Sequence, residues 1–144
     1  MKGTYILIIE IKEGKIFEVG RLGKIFFKKG FYVYVGSAFN GLEQRIDRHL
    51  RKNKKIHWHI DYFLNFSEIK SVLFKESKIK QECKIAAMLG KQLVSIAGFG
   101  CSDCTCNSHL FYGNNKKIIH AIKDLKLKSY ELKNKKKKKS FRRT

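Results

Sequence analysis

The chain has 144 residues, 43% of them hydrophobic, which is enough for one compact domain with its own core. No apolar run approaches the roughly 20 residues of a bilayer-spanning helix, which argues against a membrane protein. Lys and Arg number 32 against 12 Asp and Glu, so the formal net charge is +20. A compact state with that charge repels itself unless a polyanion offsets it, and we expect nucleic acid as the partner. The alternative, a lysine-rich solvated surface, usually carries comparable numbers of Glu.

The N-terminal third of the chain predicts β-strands. Residues 4–11 are β-branched and aromatic, and Gly14 supplies a turn into a second strand at 16–20, which predicts a hairpin. Residues 24–27 form the arm of a second hairpin, which turns at 28–30 into a strand at 31–38, FYVYVGSA. Because this last strand is apolar almost throughout, we expect it to be buried on both faces.

The pattern changes to a helical period after Asn40. Leu42, Ile46 and Leu50 recur every four residues, which predicts an amphipathic helix with Asn40 as its N-cap. Further along we expect a helix at 59–66, a strand at 71–75, a helix at 79–93, a loop with a short strand at 94–113, a helix capped by Asn114 and reaching 125, and an edge strand at 128–132. These elements predict an α/β fold of the α+β kind, in which helices flank a small, mainly antiparallel sheet.

The chain ends in a basic tail. Residues 133–144 hold eight Lys or Arg, no acid and no apolar periodicity, so we expect them to be disordered and able to bind nucleic acid. Removing these eight charges from +20 leaves +12 on residues 1–132, so the body is basic too. We expect one domain at 1–132, with a core at 3–90 and an extension at 94–132. The tail cations expected to contact nucleic acid are Lys135, Lys136, Lys137, Arg142 and Arg143.

The N-terminal residues do not resemble a secretory signal. Glu10 and Glu13 interrupt the apolar stretch, and no small-residue cleavage site follows it. We therefore expect a cytoplasmic protein whose cysteines are reduced.

Two polar residues on the helix that follows the strand at 31–38 could take part in catalysis. Arg45 and His49 are four residues apart, so they lie one above the other beside the apolar face and border the core. An arginine can hold a phosphate through a forked pair of hydrogen bonds, and a histidine can move a proton near neutral pH. From spacing alone, surface charge beside a helix is the simpler explanation.

Two strand motifs change that interpretation. Gly3-Thr4-Tyr5 and Tyr34-Val35-Gly36-Ser37-Ala38, followed by Arg45 and His49, resemble the paired motifs of the GIY-YIG nuclease superfamily over roughly residues 3–90. Thr4 replaces an isoleucine of the first motif, and this β-branched substitution should leave Tyr5 in place. Residues 98–112, GFGCSDCTCNSHLFY, resemble the C-terminal signature of one branch of that superfamily, sometimes joined to endonuclease III.

The resemblance implies a metal-dependent endonuclease that hydrolyses DNA phosphodiester bonds, with a link to DNA repair. The superfamily's catalytic carboxylate lies on a later helix, which implies Glu82 as the ligand of Mg²⁺ or Mn²⁺, with Glu76 as the rival. Tyr5 would help to activate water if Lys2 or the metal lowers its pKa, which is about 10 in free tyrosine. The implied catalytic residues are Tyr5, Tyr34, Arg45, His49 and Glu82, and further expected nucleic-acid contacts are Lys2, Ser37, Arg48, Lys52 and His57.

A catalytically silent DNA- or RNA-binding module of the same fold is the alternative function. A basic face and tail are sufficient for binding. The joint presence of Arg45, His49 and Glu82 with the two tyrosines favours cleavage, because binding alone does not require a carboxylate among phosphate-binding cations.

A cysteine-containing loop is the second chemical feature. Cys101, Cys104, Cys106 and His109 could ligate zinc, but all four fall within nine residues, whereas structural zinc sites usually join two separated halves. We therefore favour a reduced structural or active-site loop, with zinc and a redox thiol as alternatives. Cys83 is expected to be a small buried residue on its helix.

Overall fold

The computed structural model describes residues 1–101 and 106–131. Within these ranges the strands are β1 (Gly3–Ile11), β2 (Lys15–Glu18), β3 (Lys24–Phe27), β4 (Gly30–Ala38), β5 (Glu68–Glu76), β6 (Val94–Ser95), β7 (Leu110–Gly113) and β8 (Lys128–Ser129). The helices are α1 (Leu42–Leu50), α2 (His59–Leu64), α3 (Glu82–Gly90) and α4 (Asn115–Lys123), with a 3₁₀ turn at Gly20–Leu22. None of these helices is long and apolar enough to cross a bilayer.

The described residues form one six-stranded sheet and one two-stranded sheet. The large sheet has the order β6-β7-β4-β1-β5-β8, and all its neighbouring strands are antiparallel. The predicted α+β class, with helices around an antiparallel sheet, is confirmed. β1 lies at the centre, where Tyr5 pairs with Gly36 on one side and with Phe74 on the other.

Alternation along the central strands divides the core into two layers. Successive side chains of a strand point to opposite faces, so Tyr5, Leu7 and Ile9 pack with α1 and α2, whereas Ile6 packs with α3 and α4. β4 follows the same rule, and the predicted burial of this strand on both faces is confirmed. Each buried Leu or Ile contributes roughly 1.5–3 kcal/mol relative to exposure, so both layers stabilise the sheet.

The two predicted hairpins are wrong. Within the described residues β2 pairs with β3, in a small sheet of its own, rather than with β1. The reason is that both edges of β1 are already occupied, by β4 and β5, so its backbone groups have no vacant side for β2. The arm at 24–27, which is β3, correspondingly pairs with β2 and not with β4, the strand that follows it.

Most other elements lie where the sequence predicts them, with shifted ends. The strand predicted at 71–75 extends to Glu68–Glu76, and the helix predicted at 79–93 shortens to Glu82–Gly90, ending at a residue of weak helix propensity. The N-cap of α1 is Gly41 rather than Asn40, whereas Asn114 caps α4 by accepting a 2.8 Å hydrogen bond from the Lys117 amide. The predicted edge strand is β8. The predicted disordered tail lies outside the described residues.

Candidate active site

The two sequence motifs meet across the β1–β4 pair. Tyr5 and Gly36 are direct cross-strand partners, and the Tyr5 ring covers Gly36 so closely that an added Cβ would overlap the ring. The glycine is therefore required by the position of the tyrosine, since any other side chain would displace it. This contact explains why Tyr5 and the glycine of the second motif occur together.

A tyrosine–histidine pair lies under α1. The Tyr5 hydroxyl is 2.6 Å from Nε2 of His49, and both side chains are buried, at 1% and 2% exposure. His49 thus points into the core instead of bordering it, and the Tyr34 ring packs edge-on against it with centroids 6.1 Å apart. Among the described residues nothing hydrogen-bonds Nδ1 of His49.

Burial keeps this pair uncharged near neutral pH. Desolvation raises the pKa of Tyr5 above its ordinary value, and the positive charge of Arg45 offsets only part of that increase. Desolvation lowers the pKa of His49 to about 3, and the negative charge of Asp61 does not compensate for it. The pair therefore consists of a protonated phenol and a neutral imidazole, which share one proton in the hydrogen bond between the Tyr5 oxygen and Nε2 of His49.

The two arginines of α1 have different surroundings. Arg45 donates a 3.1 Å hydrogen bond to the Ser37 carbonyl oxygen at the end of β4, and its guanidinium lies 4.5 Å from the Trp58 ring centre. Arg48 stacks on the same ring at 4.3 Å but binds both carboxylate oxygens of Asp61, at 2.9 and 3.0 Å. Arg45 is positioned at the site, whereas the Arg48 guanidinium, expected to contact nucleic acid, ties α1 to α2.

Asp61 organises the segment that leads into α2. It is fully buried and also accepts hydrogen bonds from the backbone amides of His57 (2.8 Å) and Trp58 (2.9 Å). Burial alone would raise the pKa of this carboxyl, but the hydrogen bonds from Arg48 and the two amides outweigh it, so the pKa is lowered. Asp61 is therefore ionised and fixes the Trp58 ring beneath the two arginines.

Glu82 begins α3 and faces the end of β4. Its Oε1 accepts a 2.6 Å hydrogen bond from the Ser37 hydroxyl, and its Oε2 lies 3.2 Å from Nδ1 of His109. Burial acts to raise its pKa, but the hydrogen bonds from His109 and Ser37 outweigh it and lower the pKa, so the carboxylate is charged. The rival Glu76 is exposed at the end of β5.

The remaining predicted nucleic-acid contacts of the described residues are surface side chains. Lys2, Lys52 and His57 are exposed side chains. The five tail cations, Lys135, Lys136, Lys137, Arg142 and Arg143, lie outside the described residues, as does Cys104.

The cysteine segment is arranged differently from the prediction. The expectation that Cys83 is buried is wrong, because it is exposed near the start of α3, one residue after Glu82. Its sulfur lies 3.9 Å from Nε2 of His109, and Cys106 belongs to the same cluster. Cys101 instead donates to the Phe99 carbonyl oxygen at 3.4 Å. The predicted zinc ligands are therefore only partly together.

Two residues that shape the site were not predicted. Trp58 supports both arginines, and Asp61 holds Arg48 in place. The available signal was the segment His57-Trp58-His59-Ile60-Asp61, in which an acid follows a lone tryptophan by three residues, a spacing that allows it to cap a helix start.

Comparison with known proteins identifies a family. Residues 4–131 match the family model described as domain of unknown function DUF123, which covers both core layers and the cysteine segment. No curated protein and no solved structure matches the chain. The family description names no activity, so the site itself is the basis for a functional assignment.

Proposed function

The chain belongs to the family described as domain of unknown function DUF123, and we propose that it is a metal-dependent endonuclease of the GIY-YIG superfamily that hydrolyses DNA phosphodiester bonds. The single observation that carries the proposal concerns Ser37. Arg45 donates a hydrogen bond to its carbonyl oxygen, and Glu82 accepts one from its hydroxyl. A guanidinium and a carboxylate therefore flank one residue at the end of β4. Metal-dependent phosphodiester hydrolysis uses this combination, a cation that binds the phosphate and a carboxylate that binds a metal ion.

The donor chemistry of Glu82 fits Mg²⁺ or Mn²⁺. These hard cations take oxygen ligands, and Mg²⁺ commonly uses only one or two carboxylates, completing its shell with water and substrate phosphate. The Glu82 side chain is 22% exposed and has a lowered pKa, so it is charged and accessible. When bound there, the cation would neutralise charge on a phosphate oxygen and on the leaving oxygen.

The protein residues divide the remaining work. Arg45, held by Ser37 and stacked on Trp58, would bind the phosphate through its other guanidinium nitrogens. Tyr5 is protonated near neutral pH, because burial raises its pKa, so it is not available as a general base. Its hydroxyl donates to Nε2 of the neutral His49 and would help to position the attacking water by accepting a hydrogen bond from it. Tyr34, packed edge-on against His49, would hold that ring in place.

The charge of the protein supports nucleic acid as substrate. A net charge of +20 and the exposed Lys2, Lys52 and His57 provide contacts for backbone phosphates without reading bases. Lys2 directly precedes β1, whose first residue, Gly3, pairs with Ala38 next to Ser37. We propose DNA rather than RNA, and a role in DNA repair, on the superfamily resemblance.

The test is a cleavage assay with a matched pair of variants. Plasmid, single-stranded, nicked and branched DNA are incubated with Mg²⁺, Mn²⁺ or EDTA and with the wild type, Glu82→Gln or Glu76→Gln. We expect metal-dependent cutting that falls by about 100-fold or more in Glu82→Gln, the range seen when a group that stabilises transition-state charge is removed. Glu76→Gln, which changes an exposed glutamate, should cut like the wild type.

DNA binding in the same preparations separates the two functions. Mobility-shift assays should show Glu82→Gln binding DNA at least as well as the wild type, since it removes a negative charge. Equal cutting by Glu82→Gln and the wild type would refute the assignment. Binding with no cutting on any substrate would establish the silent binding module instead.

A further inference from the structure

Two thiols and an imidazole from two distant parts of the chain lie close together beside Glu82. The sulfurs of Cys83 and Cys106 and a ring nitrogen of His109 all lie within 4.8 Å of one another. Cys83 is on α3, whereas Cys106 and His109 lie in the segment before β7. We infer that these three residues form a zinc site, separate from the proposed magnesium ligand and independent of whether the protein cuts DNA.

The distances are close to those of a loaded site. With Zn–S of about 2.3 Å and Zn–N of about 2.0 Å, tetrahedral geometry places two sulfurs about 3.8 Å apart and a sulfur and a nitrogen about 3.5 Å apart. Cys83 Sγ is 3.9 Å from Nε2 of His109, and no pair in the cluster exceeds 4.8 Å. Shifts of about 1 Å or less would bring all three donors to ligand distance.

His109 has the orientation of a zinc ligand. Its Nδ1 faces the Glu82 carboxylate at 3.2 Å, so Nε2 is the nitrogen directed at the thiol. Metal-bound histidines usually donate their other ring N–H to a carboxylate or carbonyl in this way. The ring is buried, and its backbone is bonded to Phe99 and Val35 at 2.8 and 2.9 Å, so the ligand is held before any metal binds.

The donor set selects the metal. Thiolates and imidazole suit zinc, whereas Mg²⁺ and Mn²⁺ prefer oxygen ligands, so the two proposed ions do not compete for the same donors. The sequence argument against zinc was that the loop residues all belong to one half-site. Cys83, which precedes Cys106 by 23 residues, provides the missing second segment, and a bound ion would tie the start of α3 to the segment before β7.

Metal content and a spectroscopic probe test the inference. Protein purified under reducing conditions without chelator should carry about one equivalent of zinc per chain. After removal of zinc, Co²⁺ should bind with a sulfur-to-cobalt charge-transfer band and the intense visible bands of a tetrahedral site. Cys83→Ser and Cys106→Ser should each weaken metal binding by about 10-fold or more. Cys101→Ser, whose sulfur contacts the Phe99 carbonyl instead, is the matched control and should bind as the wild type.

A measurement on the wild type alone covers the case in which the variants do not fold. Cys83 is exposed, so iodoacetamide should modify it slowly in the zinc-loaded protein and much faster after zinc removal, as followed by peptide mass spectrometry. Less than about 0.2 equivalents of zinc without a sulfur-to-cobalt band, or equal alkylation rates with and without zinc, would overturn the inference. Undiminished metal binding by Cys83→Ser would overturn it as well.

Discussion

Two histidines with the same burial have opposite surroundings. His49 and His109 are each 2% exposed. His49 meets the Tyr5 hydroxyl and lies near the positive charges of Lys54 and Arg45, which add to desolvation in lowering its pKa. His109 lies between a carboxylate on one nitrogen and a thiol on the other. Because the two rings are equally buried, the groups that face their nitrogens account for the difference between them.

The two regions are neighbours that share one strand end. Ser37 lies between them, because it is bonded to Arg45 on the His49 side and to Glu82 on the His109 side. A change in one region can therefore be tested for its effect on the other. The His49 region depends on buried packing beneath α1, and the His109 region depends on polar contacts between α3 and the segment before β7.

The largest expected effect is on the buried ion pair that supports the His49 region. Asp61→Asn removes the charge that Arg48 binds through two hydrogen bonds and leaves the guanidinium, 19% exposed, without a carboxylate partner. Breaking a buried pair in this way typically destabilises a protein by about 3–5 kcal/mol. Urea denaturation at pH 7 should show a loss of that size, with zinc content unchanged in the folded variant.

The control for that variant is an exposed pair. Glu68→Gln removes contacts to Lys12 and Lys70 at a side chain that is 58% exposed, and such pairs contribute about 0–1 kcal/mol.

The pKa of Asp61 is lowered on folding, so its stabilisation is present above the unfolded pKa and is lost as pH falls through the folded pKa. The difference between wild type and Asp61→Asn should thus shrink in acid. A difference that grows in acid would contradict this role.

A smaller effect is expected from a methyl group at Gly36. In Gly36→Ala the new Cβ would overlap the Tyr5 ring, which is buried and cannot move aside freely. Overpacking of this kind destabilises by about 1–3 kcal/mol, and displacement of Tyr5 should break its hydrogen bond to His49. Thermal unfolding and the cleavage assay should both report a loss, while zinc binding should persist.

Gly90→Ala is the matched control. A Cβ there would meet only ordinary contacts, 3.5 Å from Phe111 and 3.6 Å from Ser95, at the last residue of α3. Alanine also favours the helix by up to about 1 kcal/mol. Its melting temperature should be equal or higher. If Gly36→Ala behaved in the same way, the close approach of Tyr5 would not be a constraint.

The pH dependence of stability sharpens the contrast further. The pKa of His49 is about 3 in the folded protein against 6.5 for a free imidazole. Its stabilisation is therefore complete above pH 6.5 and is lost progressively as pH falls towards 3. The free energy of unfolding should fall by about 1 kcal/mol from this residue between pH 7 and pH 5.5. His49→Gln, whose amide does not titrate, should show a flatter profile in urea denaturation. Parallel profiles would mean that His49 has the same pKa in the folded and the unfolded chain.

The strand and helix patterns of the sequence predicted the three elements that surround His49, which are β1, β4 and α1. The β-branched and aromatic residues of β1 predicted a strand, the apolar run of β4 predicted a strand buried on both faces, and the four-residue period of Leu42, Ile46 and Leu50 predicted α1. Tyr5 and His49 were predicted together from the resemblance to the GIY-YIG motifs and not from periodicity, and the structure places the Tyr5 hydroxyl 2.6 Å from Nε2 of His49. Local pattern could not show that β1 pairs with β5, far along the chain, in preference to β2.

The His109 region was harder to predict because it is assembled from separate segments. Cys83 precedes Cys106 by 23 residues, and no periodicity relates the two positions. Their proximity follows from α3 packing on one face of the sheet while the segment before β7 runs along the end of β4, which is a tertiary property. Cysteine spacing alone therefore pointed to a single loop.

The smallest expected effect concerns the tryptophan beneath the arginines. Trp58→Leu keeps an apolar side chain but removes the ring below Arg45, and an exposed cation–π contact contributes about 0.5–1 kcal/mol. If Arg45 binds phosphate, a less ordered guanidinium should weaken DNA binding by about two- to five-fold, measured by fluorescence anisotropy with Ca²⁺ in place of Mg²⁺. Phe66→Leu is the matched control, since Lys15 lies over that ring, 5.5 Å from its centre, and the ring packs on Phe17 rather than at the site. Equal losses in both variants would assign the effect to general stability, and a loss confined to Trp58→Leu would place DNA over Arg45 on the His49 side of Ser37.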